Sequence, residues 1–586
     1  MFEKVLVANR GEIAIRVMRT LEELGVGSVG VYSEPDRESP HARRATEAYL
    51  LGPGPAADSY LNVEKLLQVA DQSGAQAVHP GYGFLAENAP FARAVEEAGL
   101  VWIGPPAEAI EAMGSKTRAR ELMRDAGVPI VPGTTDPVDD VEAARKIIDE
   151  SVGYPVAIKA AGGGGGKGFR VAETEDQLEK AFEGAAREGE KFFSDPTVYV
   201  ERYLPDPRHV EVQVLADSHG NVVHLFERDC SVQRRHQKVI EESPAPAVDP
   251  ELREEIGRIG VEAAKAVSYR SAGTMEGLLQ DGEYFFLEMN TRVQVEHCVT
   301  EMVTGIDIVR EQIKVAAGEE LAFAQEDVEI RGHAIECRIN AEDASKNFAP
   351  APGKIGGYRE PSGPFVRVDS GAEPGYEVLP LYDPMIAKLI VWDTDRDAST
   401  RRMLRALDEY EIGGLKTLIP FHKALLGTDQ WRAGETCRDL MEDKDWLKGI
   451  EYPAPEPPAD DDEPKAERDY AVEVSGRKFE VKVIGAVGAN GAAPAAGAAP
   501  KGPPKRSERA KSSGGGPDEI TSPLQGNMWK VHVKQGDTVE EGQLLCVIEA
   551  MKMENEITAH KAGTIEELPI EEGKPISSGD PIATIK

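Results

Sequence analysis

The chain has 586 residues, 41% of them hydrophobic, and sets 67 basic side chains against 102 acidic ones, for a formal charge of −35. This length suggests roughly three to four domains, with ample chain to bury cores. The acidic balance argues against a nucleic-acid binder, which needs a basic footprint, and against docking on anionic membranes.

The acid is spread along the chain and not gathered in one tail. Two readings stand: adaptation to high salt, where screening weakens self-repulsion, or an ordinary acidic cytosolic protein. The five cysteines, Cys230, Cys298, Cys337, Cys437 and Cys546, form no C-x-x-C pair and are odd in number. Reduced thiols are expected, and neither a disulfide framework nor a zinc site. The start, MFEKVLVANRGEIA, lacks the basic region and long apolar core of a signal peptide. No apolar run reaches about 18 residues, so no membrane span is expected. A cytoplasmic location is the expectation.

Residues 4–8, KVLVA, read as a buried strand, and NRGEIAIRVMRTLEELGV as a helix that ends at Gly25. VGVYS is the next strand, and AQAVHPGYG another after a helical stretch. Such alternation implies a parallel sheet with covering helices over residues 1 to about 113. From Lys116 the pattern changes to a helix, SKTRARELMRDAG, a strand, YPVAIKAA, the loop GGGGGKG at 162–168, and the strand FRVA. A glycine-rich loop between two strands is a hairpin tip, not a strand-to-helix turn. TVYVERYL, HVEVQVLAD, VVHLFERDCSV and EYFFLEMN are later strands. A third α/β region at 331–445 holds the strands HAIECRIN and MIAKLIVW and a helix in ASTRRMLRALDEYEI.

After about residue 450 the composition shifts. PAPEPPADDDEP cannot pack a core. DYAVEVSGRKFEVKVIG alternates like a β-hairpin with a Ser-Gly turn. Residues 485–516 are rich in Ala, Gly, Pro and Ser and read as a linker, which if flexible spans roughly 30 Å. Its basic cluster (Lys501, Lys505, Arg506, Arg509, Lys511) is either solvated linker or a dock for an acidic partner. The last part of the chain repeats with an offset of 37: Gly526, Gly536 and Gly542 return as Gly563, Gly573 and Gly579. Val533, Val539 and Ile548 return as Ile570, Ile576 and Ile585. Two copies of a short-stranded β unit would pack as a two-fold sandwich. Between the copies stands EAMKMENE, with Lys552 flanked by Met551 and Met553.

Three stretches carry chemistry. GGGGGKG is not a Walker A loop, because no Ser or Thr follows the lysine and no helix begins there. A glycine hairpin can still fold over phosphates and present backbone N–H groups; a plain surface loop is the alternative. In FFLEMNTRVQVEHCVTE the polar residues Glu288, Asn290, Arg292, Gln294 and Glu296 fall on alternate positions, which in extended chain point one way. Glu276, in GTMEGLL, lies on the preceding strand. Glu and Asn oxygens suit Mg²⁺, and Lys116, Lys159 and Lys238 supply cations for phosphates. A solvated edge strand is the alternative.

These stretches, with VANRGEIAIRVMRT, HPGYGFLAEN, RHVEVQVLAD, ERDCSVQRRHQKVIEESPAP and EAMKMENEI, resemble the biotin-dependent carboxylases. The likeness is to the chain that joins biotin carboxylase to a biotin carrier in acetyl- and propionyl-CoA carboxylases, over roughly 1–446 and 518–586. It implies an α/β fold: a central ATP-grasp flanked by N- and C-terminal α/β domains, plus a C-terminal all-β biotinyl sandwich. The implied divisions are 1–113, 114–330, 331–446, a linker at 447–516 with a short hairpin near 469–484, and the carrier at 517–586.

The resemblance also implies roles. Lys116, Lys159 and the glycines Gly164, Gly165 and Gly166 hold the nucleotide. Glu201 to Leu204 form the adenine hinge, and His209, Gln233 and His236 line the ribose and phosphates. Glu276, Glu288 and Asn290 bind Mg²⁺ or Mn²⁺. Lys238, Arg292, Gln294 and the backbone of Val295 cradle bicarbonate, Glu296 is the general base, and Arg338 stabilises the biotin enolate. Lys552 carries biotin. ATP and bicarbonate are consumed. The implied partners are a separate carboxyltransferase β chain, through which acyl-CoA enters, and a biotin protein ligase. Pyruvate, methylcrotonyl-CoA or urea carboxylases are alternative settings, as is an inert biotin or lipoyl carrier scaffold. Two departures are visible: Cys298 replaces a common proline, which is expected to alter a turn, and Leu418 replaces a common asparagine.

Overall fold

The computed structural model describes residues 1–134, 137–164, 167–193, 195–234, 237–453, 465–474, 477–486, 519–522, 526–550, 553–576 and 579–586. Gly165, Gly166, His236, Lys552 and residues 487–516, with the linker's basic cluster, lie outside the described residues. The chain divides into two compact units, Met1–Pro455 and Glu456–Lys586.

The first unit opens with strands β1 (Lys4–Val7), β2 (Gly27–Ser33), β3 (Glu47–Gly52), β4 (Ala77–His79) and β5 (Val101–Trp102). They form a wholly parallel sheet in the order β3-β2-β1-β4-β5. Helices cover both faces of such a sheet, which is why Val5, Leu6 and Val7 are fully buried in an unbroken apolar run. The helix Gly11–Glu23 buries Ile13, Ala14, Val17, Met18 and Leu21, an i, i+4 stripe facing the core. It stops where Gly25 takes a left-handed φ of 72°, as expected from the sequence.

A second layer is antiparallel: β6 (Val156–Gly164), β7 (Lys167–Ala172) and β8 (Val198–Arg202), in the order β7-β6-β8. Gly164 pairs with Lys167, so the glycine run does join two strands of one hairpin. The helix Glu175–Phe193 seals this layer over a core of its own that includes Val156, Ile158, Leu178 and Val200.

The largest sheet has eight strands: β9 (Arg208–Ala216), β10 (Val222–Arg234), β11 (Gln237–Ser243), β12 (Ser271–Gln280), β13 (Glu283–Asn290), β14 (His333–Asn340), β15 (Val366–Ser370) and β16 (Met385–Asp393). Their order is β13-β12-β9-β10-β11-β14-β16-β15, so the sheet runs unbroken past residue 330. Alternation sets its two faces. Val210, Val212 and Val214 of β9, with Met275 and Met289, pack against Ile256 and Ile259 of the helix Pro250–Ala266. The intervening His209, Glu211 and Gln213 therefore point to the other face, where the polar groups collect.

Four buried histidines tie the stability of the first unit to pH. Burial holds His41 and His422 down at about 4, and His79 and His297 at about 3. Such a ring is neutral in the fold but takes a proton in the unfolded chain below about pH 6.5. Its stabilising contribution is thus present above about pH 6.5 and is lost as pH falls toward the folded value. Each ring costs up to about 1.4 kcal/mol per pH unit in that window. Carboxyls that burial raises, Glu336 and Glu342 among them, act in the opposite sense, so the histidine effect is read by difference: His79→Gln should lose less Tm than wild type between about pH 6.5 and 5 by calorimetry, and an equal fall in both contradicts neutral burial.

In the second unit, the strands Lys465–Val474 and Arg477–Ala486 form an antiparallel hairpin with Val474 opposite Arg477. Two four-stranded sheets follow. Residues 519–521, 581–585, 563–567 and 538–539 make one, and 553–558, 544–550, 526–531 and 575–576 the other. Shifting either sheet by 37 residues gives the other, strand for strand. Both contribute to one core containing Val533, Val539, Ile548, Ile565, Ile576 and Ile585, the apolar partners of the repeat among them. Gly536 and Gly573 occupy equivalent turns at φ 94° and 78°, where a side chain would be strained. Ala550 and Met553 pair across the hairpin on either side of positions 551 and 552. Among the described residues, no helix is long and apolar enough to cross a membrane.

Candidate active site

A row of charge crosses the polar face of the large sheet. Glu288 of β13 lies opposite Glu276 of β12, Glu276 opposite Glu211 of β9, and Glu211 opposite Arg228 of β10. Adjacent carboxylates repel, so the row stands only if cations enter it. Lys238 does so. Its Nζ donates to Glu211 Oε2 at 2.5 Å, Glu276 Oε1 at 2.6 Å and Glu296 Oε1 at 2.7 Å. Arg228, fully buried, spends all five N–H groups: Nε on Glu211, Nη1 on Gln213 and Thr300, Nη2 on Thr274 and Gln294. Gln294, oriented by that contact, donates Nε2 to Glu276 Oε1 at 2.6 Å.

The alternation expected to carry Glu288 through Glu296 on one extended face is corrected here. Strand β13 ends at Asn290, and Glu296 stands at the residue before the helix His297–Thr304 without a side-chain cap bond to it. The cause is Glu87, whose Oε1 accepts from the Thr291 N–H and whose Oε2 accepts from Arg292 Nε, turning the chain. The side chains converge all the same. Arg292 Nη2 donates to Asn290 Oδ1 at 2.8 Å, and Glu296 Oε2 accepts from Arg338 Nη2 at 2.9 Å. Arg338 Nε donates to Glu241 Oε1 at 2.6 Å. Lys388 of β16, fully buried, donates to the Val295 carbonyl at 2.9 Å and steadies the turn before Glu296.

Electrostatics follow the geometry. Burial alone would raise the Glu296 carboxyl, but Lys238, Arg338 and Arg228 outweigh it and hold Glu296 well below the usual carboxylate range. Glu276 is also held low: burial opposes, and Lys238 and His209 prevail. Lys238 stays charged, since its carboxylate neighbours overcome burial.

Hard oxygen groups gather beside this cluster. Glu276 and Glu288 face each other across two strands and Asn290 stands two residues on, a hard oxygen set of the kind Mg²⁺ takes. The Asn290 oxygen that would meet a cation is Oδ1, which here accepts from Arg292 Nη2. His209 Nε2 lies 3.0 Å from Glu276 Oε2. The residues present fit a divalent cation.

The other expected residues fall elsewhere. Lys159 of β6 donates to Glu201 Oε1 of β8 at 2.6 Å, and Arg120 reaches Glu201 Oε2 at 3.2 Å. Leu204 follows half-buried, beyond a Tyr203 N–H bonded to the Pro155 carbonyl. Gln233 is the direct strand partner of Lys238. Gly164 ends β6, and Lys116 opens the helix Lys116–Asp125, its side chain outside the described residues.

Sequence reasoning missed Glu87, Glu211, Arg228, Glu241 and Lys388. Glu211 had a signal in the His209, Glu211, Gln213 alternation, and Lys388 in being one lysine inside the apolar run MIAKLIVW. Cys298 lies in a helix and not in a turn. It occupies the first turn of the helix His297–Thr304, where proline is also accommodated, and its Sγ lies 3.2 Å from Lys388 Nζ and 3.3 Å from Asp369 Oδ2. Leu418 begins the helix Ile419–Leu426 without a side-chain cap, a loss of about 1 kcal/mol against a capping residue.

Comparison with known proteins decides the family. Residues 1–110 match the biotin carboxylase N-terminal domain and 336–443 its C-terminal domain. Residues 115–324 match the carbamoyl-phosphate synthase L chain ATP binding domain, and 517–585 the biotin-requiring enzyme domain. The biotin-dependent acyl-coenzyme A carboxylase alpha3 subunit of Mycobacterium leprae is 46% identical over 100% of this chain and 98% of its own. The chain belongs to the biotin-dependent carboxylases. This carboxylase is a biotin carboxylase alpha chain with its own carrier domain, in the class of ATP-dependent ligases. A pyruvate carboxylase subunit of Methanothermobacter thermautotrophicus is 54% identical over 77% of this chain and 91% of its own. The biotin carboxylase domain of Hydrogenobacter thermophilus 2-oxoglutarate carboxylase, solved with MgADP, ADP and bicarbonate, superposes with a TM-score of 0.69. It is 49% identical, covering 78% of this chain and 100% of its own.

Proposed function

We propose that this carboxylase is the alpha subunit of an acetyl- or propionyl-CoA carboxylase. It carboxylates biotin on Lys552 at the expense of ATP and bicarbonate, and a separate carboxyltransferase chain passes the carboxyl group to acyl-CoA. A biotin protein ligase loads Lys552. The observation that carries the acyl-CoA reading is the match to the alpha3 chain of an acyl-CoA carboxylase over the full length, carrier unit included.

The site residues take the following parts. Lys116, Lys159 and the glycines Gly164, Gly165 and Gly166 hold the ATP phosphates, while Glu201 and Leu204 seat adenine and His209, Gln233 and His236 line the ribose and phosphates. Glu276, Glu288 and Asn290 would hold Mg²⁺ or Mn²⁺, which when bound offsets charge on the transferring phosphoryl group. Lys238, Arg292, Gln294 and the Val295 N–H cradle bicarbonate. Glu296 takes its proton. In the free protein Glu296 is too well compensated to be a strong base, with Lys238 on one oxygen and Arg338 on the other. Bicarbonate oxygens that draw Lys238 toward themselves remove part of that compensation, so Glu296 becomes basic when substrate is in place. Biotin supplies the nitrogen that accepts the carboxyl group. Arg338 stays charged throughout and stabilises the oxygen that develops negative charge.

A second reading, a pyruvate or 2-oxoglutarate carboxylase subunit, is favoured by the identity to those relatives over three-quarters of the chain. The deciding experiment is co-purification of the partner, followed by ¹⁴C-bicarbonate fixation on acetyl-CoA, propionyl-CoA, methylcrotonyl-CoA, pyruvate and 2-oxoglutarate. Label on the two short acyl-CoA thioesters is expected. Label on either oxo acid alone overturns the acyl-CoA assignment.

A further inference from the structure

Behind Arg338 lies a pair of carboxyl groups that the reaction just described does not use. Glu241 of β11 and Glu336 of β14 are direct cross-strand partners, and both are fully buried. Opposed residues place their Cβ atoms about 5 Å apart. Glu241 Oε1 accepts from Arg338 Nε. Glu241 Oε2 and both oxygens of Glu336 find no hydrogen-bond partner among the described residues. The charged groups facing the pair are Arg338 on β14, Lys238 on β11, Lys388 on β16 and Glu296 at the head of the helix His297–Thr304. Lys388 is already engaged with the Val295 carbonyl and Cys298 Sγ, with Glu12 Oε1 at 3.4 Å.

An ionised carboxylate buried without donors is costly, and two opposed ones are costlier; such groups neutralise instead. Burial pushes Glu336 well above the carboxylate range despite Lys388, and pushes Glu241 to about 7 despite Arg338.

We propose that Glu241 and Glu336 retain one proton between them, carried by Glu336, and act as the positioning pair of Arg338. The proposal rests on the reading of Arg338 as the group that meets the biotin end of the reaction. With one proton kept, the pair offers the guanidinium a single negative charge, which anchors Nε. Nη2 remains on Glu296. Once Glu296 accepts the substrate proton its charge is gone, and Nη2 turns to the oxygen where charge develops while Nε stays in place. Two ionised carboxylates would draw the guanidinium into the sheet, and two neutral ones would leave it unanchored.

The test has two readouts on the full chain. Infrared difference spectra of wild type minus Glu336→Gln at neutral pH should contain the C=O stretch of a protonated carboxylic acid; its absence overturns the retained proton. In steady-state assays with free biotin, Glu241→Gln should raise KM for biotin about tenfold or more while KM for ATP moves less than about twofold, and Glu241→Asp should recover part of the loss. Equal changes in both KM values, or none, overturn the positioning role. If Glu241→Gln does not fold, Glu241→Asp supplies the kinetics. Arg338→Ala separates the readings. If it keeps biotin-dependent turnover, the role given to Arg338 falls and the positioning role with it. If Arg338→Ala loses turnover but the Glu241 variants do not, the pair alone is wrong.

Discussion

Replacing Lys552 by arginine is expected to abolish partner-dependent carboxylation. Biotin attachment makes an amide, and the nucleophile must be a primary amine that can shed a proton. The arginine guanidinium does not deprotonate in proteins, so it keeps the charge of Lys552 and loses its chemistry. The expected results are an empty avidin blot, an intact mass lacking the biotinyl increment, and ¹⁴C transfer to thioester at background. Bicarbonate-dependent ATP cleavage driven by added free biotin should persist, because the groups around Lys238 and Arg338 belong to the first unit. Wild-type protein that carries lipoate in place of biotin would overturn the assignment of the carrier.

Lys238→Met is expected to be the most damaging change within the first unit. One ammonium holds three carboxylates, and its side chain is only 10% exposed. Arg228 still compensates Glu211, and Arg338 still compensates Glu296, but Glu276 is left with Gln294 and His209. Breaking a buried charge pair this way costs about 3–5 kcal/mol. Glu276 is now held ionised by Lys238, so its contribution is present above the ordinary carboxylate range and is lost as pH falls. The variant should therefore lie furthest below wild type at neutral pH, and the gap should narrow on acidification. Calorimetry across pH measures this. Bicarbonate-dependent ATP hydrolysis should fall by roughly 10²–10³, the usual cost of removing a preorganised charged donor. Activity within about twofold of wild type would remove Lys238 from the bicarbonate cradle.

Much of this architecture is legible in the order of residues. The glycine run has to join two strands, because β-rich sequence flanks it on both sides. The alternation of Val210, Val212 and Val214 with His209, Glu211 and Gln213 is a period-two pattern, and the two faces of β9 obey it. The same rule, carried from Glu288 through to Glu296, fails after Asn290. The contact that ends the strand comes from Glu87, about two hundred positions away, and no local pattern records it. The one lysine inside MIAKLIVW marks Lys388 as buried, but its purpose shows only through the partners around it, here the Val295 carbonyl and Cys298.

The sequence by itself determined the 37-residue repeat of the carrier and its two matching sheets, because turn glycines and core positions at fixed spacing are local requirements of the backbone. It also supplied the residue types proposed here for phosphate, cation and bicarbonate. Only the tertiary structure decided how those charges neutralise one another. Lys238 meets carboxylates 27, 38 and 58 residues away, and Arg338 is shared between Glu241 and Glu296. Buried charges persist only in company, and folding alone determines which charges are neighbours.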